Sequence, residues 1–510
     1  MNLSKSNLSA IKTQPGVSLP AASVLELPEK VLQFGTGVLL RGLPDYFIDM
    51  ANKQNVFNGR VVVVKSTSSG GTDAFDTQNG LYTICVRGID GAQRVDKQVV
   101  NASISRVLAA KEHWNEILEC ASNPQMQIII SNTTEVGIAL VEEDKVTAQP
   151  PVSFPGKLLA FLLKRYEVFA GSKESGMVII PTELIVDNGK KLKSIVNELA
   201  KLNNLSESFI EWLNTANDFC SSLVDRIVPG KLSAEDKAAT EAKLGFTDDL
   251  MIMSEVYRLW AIETDSERTK EILSFSKVDE GVVLAPSIDV FRELKLRLLN
   301  GTHTFSCGIA FLSGFATVKQ AMEDKIFSSY ISTLMLDEIA PAITYERLSL
   351  QEAHPFAYKV MDRFRNPYIE HQWISITMQY TSKMKMRNVP IILEHFEKFG
   401  VVPQYMSLGF AAYLLFMKTQ KNNEGKYITV QHGKEYMVND DVAGQLYEVW
   451  QSQQTADKVV DVVLKDGSLW GTNLAVLPGF AEAVKGYLVS FQDKGVAYTL
   501  QQFQLNKTEV

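Results

Sequence analysis

The sequence predicts a two-domain α/β protein: a doubly wound parallel-sheet domain with a helical extension over residues 1–286, then a mainly α-helical domain over 287–510. Three observations carry this reading. Between residues 29 and 187, short β-branched runs (VLQF at 31–34, RVVVV at 60–64, QIIIS at 127–131, MVIIP at 177–181) alternate with helical stretches such as 155–170. Near-continuous apolar strands separated by helices belong to a parallel sheet covered on both faces. From 189 to 275 the pattern turns helical, with Lys- and Glu-rich faces in GKKLKSIVNELAKL and AEDKAATEAKLG, before a last strand-like VVLAP at 282–286. Beyond that, 287–299, 316–343, 389–400, 405–418, 441–453 and 474–492 all carry helical period.

A chain of 510 residues is too long for one hydrophobic core, and 45% hydrophobic with 22% charged residues is the balance of an ordinary globular protein. A net charge of −8 opposes attraction to phosphate backbones and anionic lipid, so neither nucleic acid nor a membrane surface is expected as a partner. Cys85, Cys120, Cys220 and Cys307 lie far apart with no CxxC pair, which argues against a disulfide framework and a cysteine-rich zinc site. The opening MNLSKSNLSAIKTQPG lacks the apolar core of a secretory signal, so a cytoplasmic location is expected. The apolar run from Met406 to Met417 is broken by Ser407 and Gly409. It falls well short of the ~20 residues a bilayer needs and reads as a buried helix.

The first strand ends in VLQFGTGVLLRGLPDYF, with Gly35 and Gly37 at a strand-to-helix turn and Gly42 beyond. Such a turn lets backbone N–H groups and a helix start meet a pyrophosphate, because glycine has no Cβ in the way. Phe34, Gly35, Thr36, Gly37, Val38 and Leu39 are therefore candidate dinucleotide contacts. The spacing is GxGxxxxG, and GxG after a strand is also a plain tight turn. Its place after the first strand of a βαβ series favours the dinucleotide. The second strand ends in Lys65, Ser66 and Thr67, where an acidic residue usually binds the ribose diol. A cation and hydroxyls there suit a 2′-phosphate, hence NADP. The alternative is a Lys65 solvated at a loop edge.

The densest group of chemically capable residues is FRELKLRLLNGTHTFSCGIAFLSG (291–314), with Lys295, Asn300 and His303. On a regular helix Lys295 and His303 lie about 80° apart and Asn300 about 140° from Lys295. Gly301 is expected to loosen the turn and bring Asn300 and His303 towards one point. A plain amphipathic helix with a solvated Lys295, a capping Asn–Gly and a core His303 remains open. PTELIVDNGKKL (181–192) puts Asn188 at the carboxyl edge of the sheet, as an oxyanion donor or a helix N-cap. In NDFCSSLVDRIVPG (217–230), Asp225 and Arg226 stand among apolar neighbours, with Asp225 as a substrate ligand or the two as a structural ion pair. A hydroxyl-to-carbonyl conversion then needs a side-chain base. A lysine whose pKa is lowered can serve, with Asn188 and Asn300 steadying the alkoxide and His303 orienting substrate or relaying a proton.

At these residues the chain resembles the polyol-specific long-chain dehydrogenases, the group containing mannitol dehydrogenase, fructuronate reductase and tagaturonate reductase. The matching pieces are QFGTGVLLRG, SNTTEVGI (131–138), the NG of PTELIVDNG, SLVDRIVP, KLRLLNGTH, RFRNPYI and SKMKMRNVP (382–390). The resemblance covers nearly the whole chain. It implies a Rossmann-like first domain, a helical second domain and zinc-independent catalysis: Lys295 as base, Asn188 and Asn300 as oxyanion pair, His303 at the substrate. Asn132 and Thr134 are further implied cofactor contacts. PTELI, VVVVKSTSSGG and SEVYRLWAIE are most similar to the tagaturonate reductase branch. That branch implies NAD(H) and a keto-uronate/aldonate substrate pair, D-tagaturonate and D-altronate. A fructuronate reductase or a mannitol dehydrogenase-like enzyme is the alternative, and a catalytically inactive dinucleotide-binding sensor is opposed by the presence of Lys295 and Asn300. The Cys–Asp–Asn triplet of the mannitol dehydrogenases is replaced by Thr182, Glu183 and Leu184, which speaks against polyol oxidation. RFRNPYIEHQW and SKMKMRNVP gather Arg363, Arg365, His371, Lys383 and Arg387, of which Lys383 or Arg387 is the expected carboxylate ligand.

Overall fold

In a computed structural model the described residues are 1–66, 71–133, 137–431, 433–453 and 455–508. They form two compact units: Met1–Gly88 with Gln93–Ile288, and Ile89–Ala92 with Asp289–Val510. The first is built on six strands, β1 (Glu29–Phe34), β2 (Arg60–Lys65), β3 (Ile104–Ala109), β4 (Ile128–Ser131), β5 (Val178–Pro181) and β6 (Asp218–Phe219). They lie in the order 3-2-1-4-5-6, all parallel, with Val31 opposite Val61 and Ile128. This is a Rossmann-type sheet, and the order reverses between β1 and β4, where such sheets bind their ligands.

Period-2 alternation divides the strand residues between two apolar layers. Val31, Val61, Val63, Ile128, Ile130, Val178 and Ile180 face one core with Phe47 and Ile48 of the helix Pro44–Lys53. Leu32, Phe34, Val62, Val64, Ile129 and Ile179 face the other, against the helices Phe154–Val168 and Asn188–Leu202. Both faces are covered, so the strands carry no polar alternation.

The expected helical run over 189–275 is only partly helical. Helices Asn188–Leu202, Glu207–Thr215, Ala234–Leu244 and Glu267–Ile272 are interleaved with strands Ser222–Asp225, Ile252–Glu255 and Leu259–Glu263. The second of these strands joins a four-stranded sheet with Tyr82–Asp90, Gln93–Asn101 and Val17–Ser18; the other two join Val282–Ala285. Apolar runs of four or five residues look alike as strand or as buried helix, and here long-range pairing decides.

The second unit is mainly helical, with a three-stranded sheet (Gln420–Lys421, Tyr427–Gln431, Lys434–Met437) that periodicity did not reveal. At its centre lies the helix Gln404–Phe416, the buried helix expected from its apolar run. No helix among the described residues is long and apolar enough to cross a membrane. It crosses the helix Thr302–Leu312 closely: a Cβ on Gly409 would lie 2.7 Å from the Phe305 carbonyl oxygen, and one on Gly308 3.1 Å from the Ala412 backbone. Two glycines thereby set the position of the helix that carries His303.

Gly409→Ala places a methyl against that rigid carbonyl, and overpacking of this kind costs about 1–3 kcal/mol. Gly486→Ala, on an exposed turn of Phe480–Lys494 with open space around the added carbon, gains up to about 1 kcal/mol of helix propensity. Urea midpoints of the two variants should fall on opposite sides of the parent. A Gly409→Ala midpoint at or above the parent value would remove the close crossing from the account.

Candidate active site

In the first unit the chain leaves β1 through Gly35, whose φ of +128° and close approach to the loop after β4 both exclude a side chain. A Cβ there would lie 2.9 Å from Asn132 O and from Leu40 Cδ1. Gly37 is the opposite case: it precedes the short helix Val38–Gly42 and faces open space, leaving room for a ligand's phosphates. Gly42 packs on Val228. Thr36, Val38 and Leu39 are partly exposed around this opening, whereas the Phe34 ring is buried against Phe154, 5.1 Å away. Phe34 can therefore offer a ligand only its backbone. Asn132 gives its amide to Thr182 O and Oγ1 at 3.2 and 3.0 Å. Lys65 ends β2 only 9% exposed and engaged with neighbours, so the solvated loop-edge reading is corrected, while Ser66 is exposed. Thr67 and Thr134 lie outside the described residues.

The carboxyl edge of β4 and β5 is a buried polar network, of which the sequence shows only the replacement at Glu183. Glu183 accepts from Ser131 Oγ (3.1 Å), Thr133 N (2.9 Å) and Thr133 Oγ1 (3.0 Å), so one carboxylate holds the end of β4 and Thr133. Asn188 requires a correction. It is fully buried, and Nδ2 donates to the carbonyls of Pro181, Glu183 and Ser222 at 3.0–3.1 Å while Oδ1 accepts from Gly189 N and Ser222 N. Its amide has no hydrogen left for an oxyanion, and Asp187, not Asn188, precedes the helix. Asn188 ties β5 to the strand Ser222–Asp225.

Asp225 ends that strand, 6% exposed and engaged with neighbours. The expected Asp225–Arg226 ion pair is not formed. Arg226 instead donates to Gly42 O and Glu255 O and lies over the Tyr46 ring at 4.6 Å. Strand alternation turns adjacent side chains to opposite sides, and burial lowers the Arg226 pKa to about 10.

In the second unit Lys295 and Asn300 both lie on a π-helical segment, Leu294–Gly301, continuous with the helices on either side. Gly301 keeps helical angles (φ −63°, ψ −45°), so no broken turn joins Asn300 to His303. Instead the i→i+5 pattern brings residues five apart towards one face, which is the spacing of Lys295 and Asn300. A second π segment, Met384–Asn388, follows Lys383 and packs on the first. The two exchange hydrogen bonds. Arg297 Nη1 donates to Met386 O (2.9 Å) and Arg387 O (2.8 Å), and Asn388 Nδ2 donates to Gly301 O (3.2 Å). A side chain of each segment thus donates to carbonyls of the other. Neither residue was singled out from sequence, where Arg297 reads as another helix cation.

His303 is 8% exposed, stacked on Phe364 at 4.1 Å and edge-on to His371 at 5.1 Å. Burial, then His371, Arg363, Arg387 and Lys383, hold its pKa well below the usual histidine value. The imidazole is thus neutral, and its Nδ1 is buried with no partner. Arg387 Nη1 reaches Thr304 Oγ1 (3.3 Å), which donates to Asn300 O (2.8 Å). Lys383 Nζ donates to Ile376 O (2.9 Å), and burial with Arg387 beside it lowers its pKa. Neither Lys383 nor Arg387 makes an ion pair among the described residues, and Glu370 is taken by Lys319. No group of three or more His, Cys, Asp or Glu among the described residues is arranged to hold a metal ion.

Arg297→Met keeps the aliphatic stem but strips the donors from the Met386 and Arg387 carbonyls. The expected cost is about 1–3 kcal/mol in urea unfolding; an unchanged midpoint would mean that the exchange between the segments carries no stability.

Residues 29–273 match the mannitol dehydrogenase Rossmann domain and 287–491 the mannitol dehydrogenase C-terminal domain. The chain is 37% identical to an altronate oxidoreductase of Bacillus subtilis, over 95% of this chain and 97% of that protein. It is 36% identical to one of Phocaeicola vulgatus over 94% and 98%. Among solved structures, a Pseudomonas fluorescens mannitol 2-dehydrogenase, a ternary complex with NAD and D-mannitol, superposes with a TM-score of 0.67 at 21% identity, covering 99% of both chains. A substrate-free D-sorbitol dehydrogenase gives 0.79 at 18% identity over 98% and 100%. At these identities the structures speak for the fold. The domain matches and the curated relatives together establish that this chain belongs to the mannitol dehydrogenase family, enzymes that are dehydrogenases of CH–OH groups.

Proposed function

We propose that the protein is an NAD-dependent oxidoreductase interconverting D-tagaturonate and D-altronate, without zinc, with Lys295 as its base. The observation that carries this reading is the packing of two half-buried cations, Lys383 and Arg387, beside the segment bearing Lys295 and Asn300. Cations held without a carboxylate partner suit an anionic substrate, and the relatives named altronate oxidoreductase act on a sugar acid. The carboxylate of a keto-uronate supplies the missing counter-charge.

The backbone of the Gly35–Gly37 turn would hold a nicotinamide dinucleotide, and that group would supply hydride donor and acceptor chemistry when bound. In the oxidative direction Lys295 takes the hydroxyl proton and Asn300 donates an amide hydrogen to the developing alkoxide. In reduction Lys295 returns the proton to the carbonyl oxygen. His303, kept neutral by burial and its cationic neighbours, can donate or accept a hydrogen bond at a substrate hydroxyl without adding charge. Lys383 and Arg387 hold the carboxylate, against the unfavourable field of a chain carrying net −8. NAD is preferred to NADP on the ground that the Lys65 side chain is buried at the strand end and already engaged.

Lys295→Ala should lower kcat by about 10²–10⁴-fold while NADH binding, followed by fluorescence, stays near the parent value. A loss below about tenfold would remove Lys295 as the base.

The substrate is tested by a panel of tagaturonate, fructuronate and fructose with NADH and NADPH at 340 nm. Tagaturonate with NADH should give the highest kcat/KM, and fructuronate in first place would reassign the substrate. Hydrogen bonds to a charged group contribute about 1.5–3 kcal/mol, so Arg387→Gln or Lys383→Gln should raise KM for tagaturonate roughly 10–100-fold and narrow the preference over fructose. An unaltered preference in both variants would move carboxylate recognition elsewhere. If NADPH is the better cofactor and Lys65→Asp reverses the order, Lys65 reads a 2′-phosphate.

A further inference from the structure

Gln33 interrupts the apolar run of β1 one residue before Phe34, and its side chain is fully buried on the layer shared with Val31 and the helix Pro44–Lys53. Both of its amide hydrogens are used: Nε2 donates to Asp45 Oδ2 (3.2 Å) and to the Gly35 carbonyl (3.4 Å). Asp45 is likewise fully buried. The remaining oxygen of each group, Gln33 Oε1 and Asp45 Oδ1, is buried with no donor. These two bare acceptors are geminal to the atoms of a single N–H···O contact. A proton on Oδ1 would turn one of these acceptors into a donor for the other.

The charged and titratable neighbours are Arg41, Asp49 and Tyr82. Arg41 favours the carboxylate but donates to Leu250 O, and Asp248 beyond it is held by Gln78 and Thr83. Asp49 is paired with Lys53 at 2.7 Å and favours the acid form of Asp45, while Asn101 gives its amide to the Asp45 main-chain oxygen. Burial outweighs the rest and raises the Asp45 pKa to about 7.

We propose that Asp45 is a positioning residue that works as the neutral acid: its Oδ1–H donates to Gln33 Oε1, closing a two-point acid–amide pair that holds the Gly35 carbonyl and sets the glycine turn for the dinucleotide. The inference rests on dinucleotide binding at that turn. Loss of the proton leaves one N–H···O bond and two facing lone pairs, and it loosens the amide that grips Gly35. The protonated protein therefore binds NADH more tightly, and by linkage NADH binding above neutral pH draws a proton onto the protein.

The test is NADH titration by fluorescence between pH 5.5 and 9, with calorimetry in buffers of different ionisation enthalpy. In the parent, Kd should weaken several-fold as pH rises through neutrality, with proton uptake at pH 8 and little at pH 6. Asp45→Asn mimics the acid and should hold the low-pH Kd across the range, with no uptake. Stability gives a readout free of cofactor. A carboxyl whose folded pKa is raised from about 3.8 to about 7 makes the parent lose stability as pH rises across that window, because only the folded state keeps the proton. Asp45→Asn should lack that decline. The same pH dependence in Asp45→Asn as in the parent, or no proton uptake by the parent at pH 8, overturns the proposal. Failure of NADH to bind at any pH, with the stability difference intact, overturns the dinucleotide reading and the role at the turn with it.

Discussion

Two side chains five residues apart on a helix can serve one reacting centre only if the helix widens there. An α-helix sets Lys295 and Asn300 about 140° apart, whereas i→i+5 bonding turns both towards one face. The widened turn over Leu294–Gly301 is tied to a second widened turn, Met384–Asn388, through Arg297 and Asn388. The segment bearing Lys295 and Asn300 and the one bearing Arg387 are thus fixed to each other by side-chain donors on main-chain carbonyls. Gly308 and Gly409 add the constraint from behind, allowing the His303 helix to lie against the central buried helix at backbone contact.

Electrostatics follow from this packing. Lys383, Arg387 and His371 are brought around His303, and burial together with mutual repulsion favours the uncharged form of each group able to lose a proton. An anion entering such a place relieves repulsion already present in the protein. The cost of assembling those cations is therefore met inside the protein before any ligand arrives.

In the first unit the same logic appears with polar groups. The carboxyl edge of the sheet is ordered by groups whose hydrogen-bonding capacity is spent internally: Glu183 on the loop after β4, Asn188 on the crossing to Ser222–Asp225, Arg226 on two separate carbonyls. These residues hold backbone rather than ligand. What is left open is the space before Gly37 and the partly exposed Thr36, Val38 and Leu39.

The parallel sheet, the glycine turn, the central buried helix and the residue types of the chemistry are legible in the sequence, because each is written in local periodicity or in a short run of neighbours. VLQF, RVVVV, QIIIS and MVIIP are apolar on both faces wherever they lie, and GTG after a strand constrains its own backbone. The strands within 189–275, the engagement of Asn188 and Arg226, the burial of Lys65 and the widened turn over Leu294–Gly301 came from the folded chain alone. Each depends on a partner tens of residues away: Ser222 for Asn188, Gly42 and Glu255 for Arg226, Met386 and Arg387 for Arg297. A hydrogen-bonding side chain carries its capacity in its name, but what consumes that capacity is fixed only when the chain has folded around it.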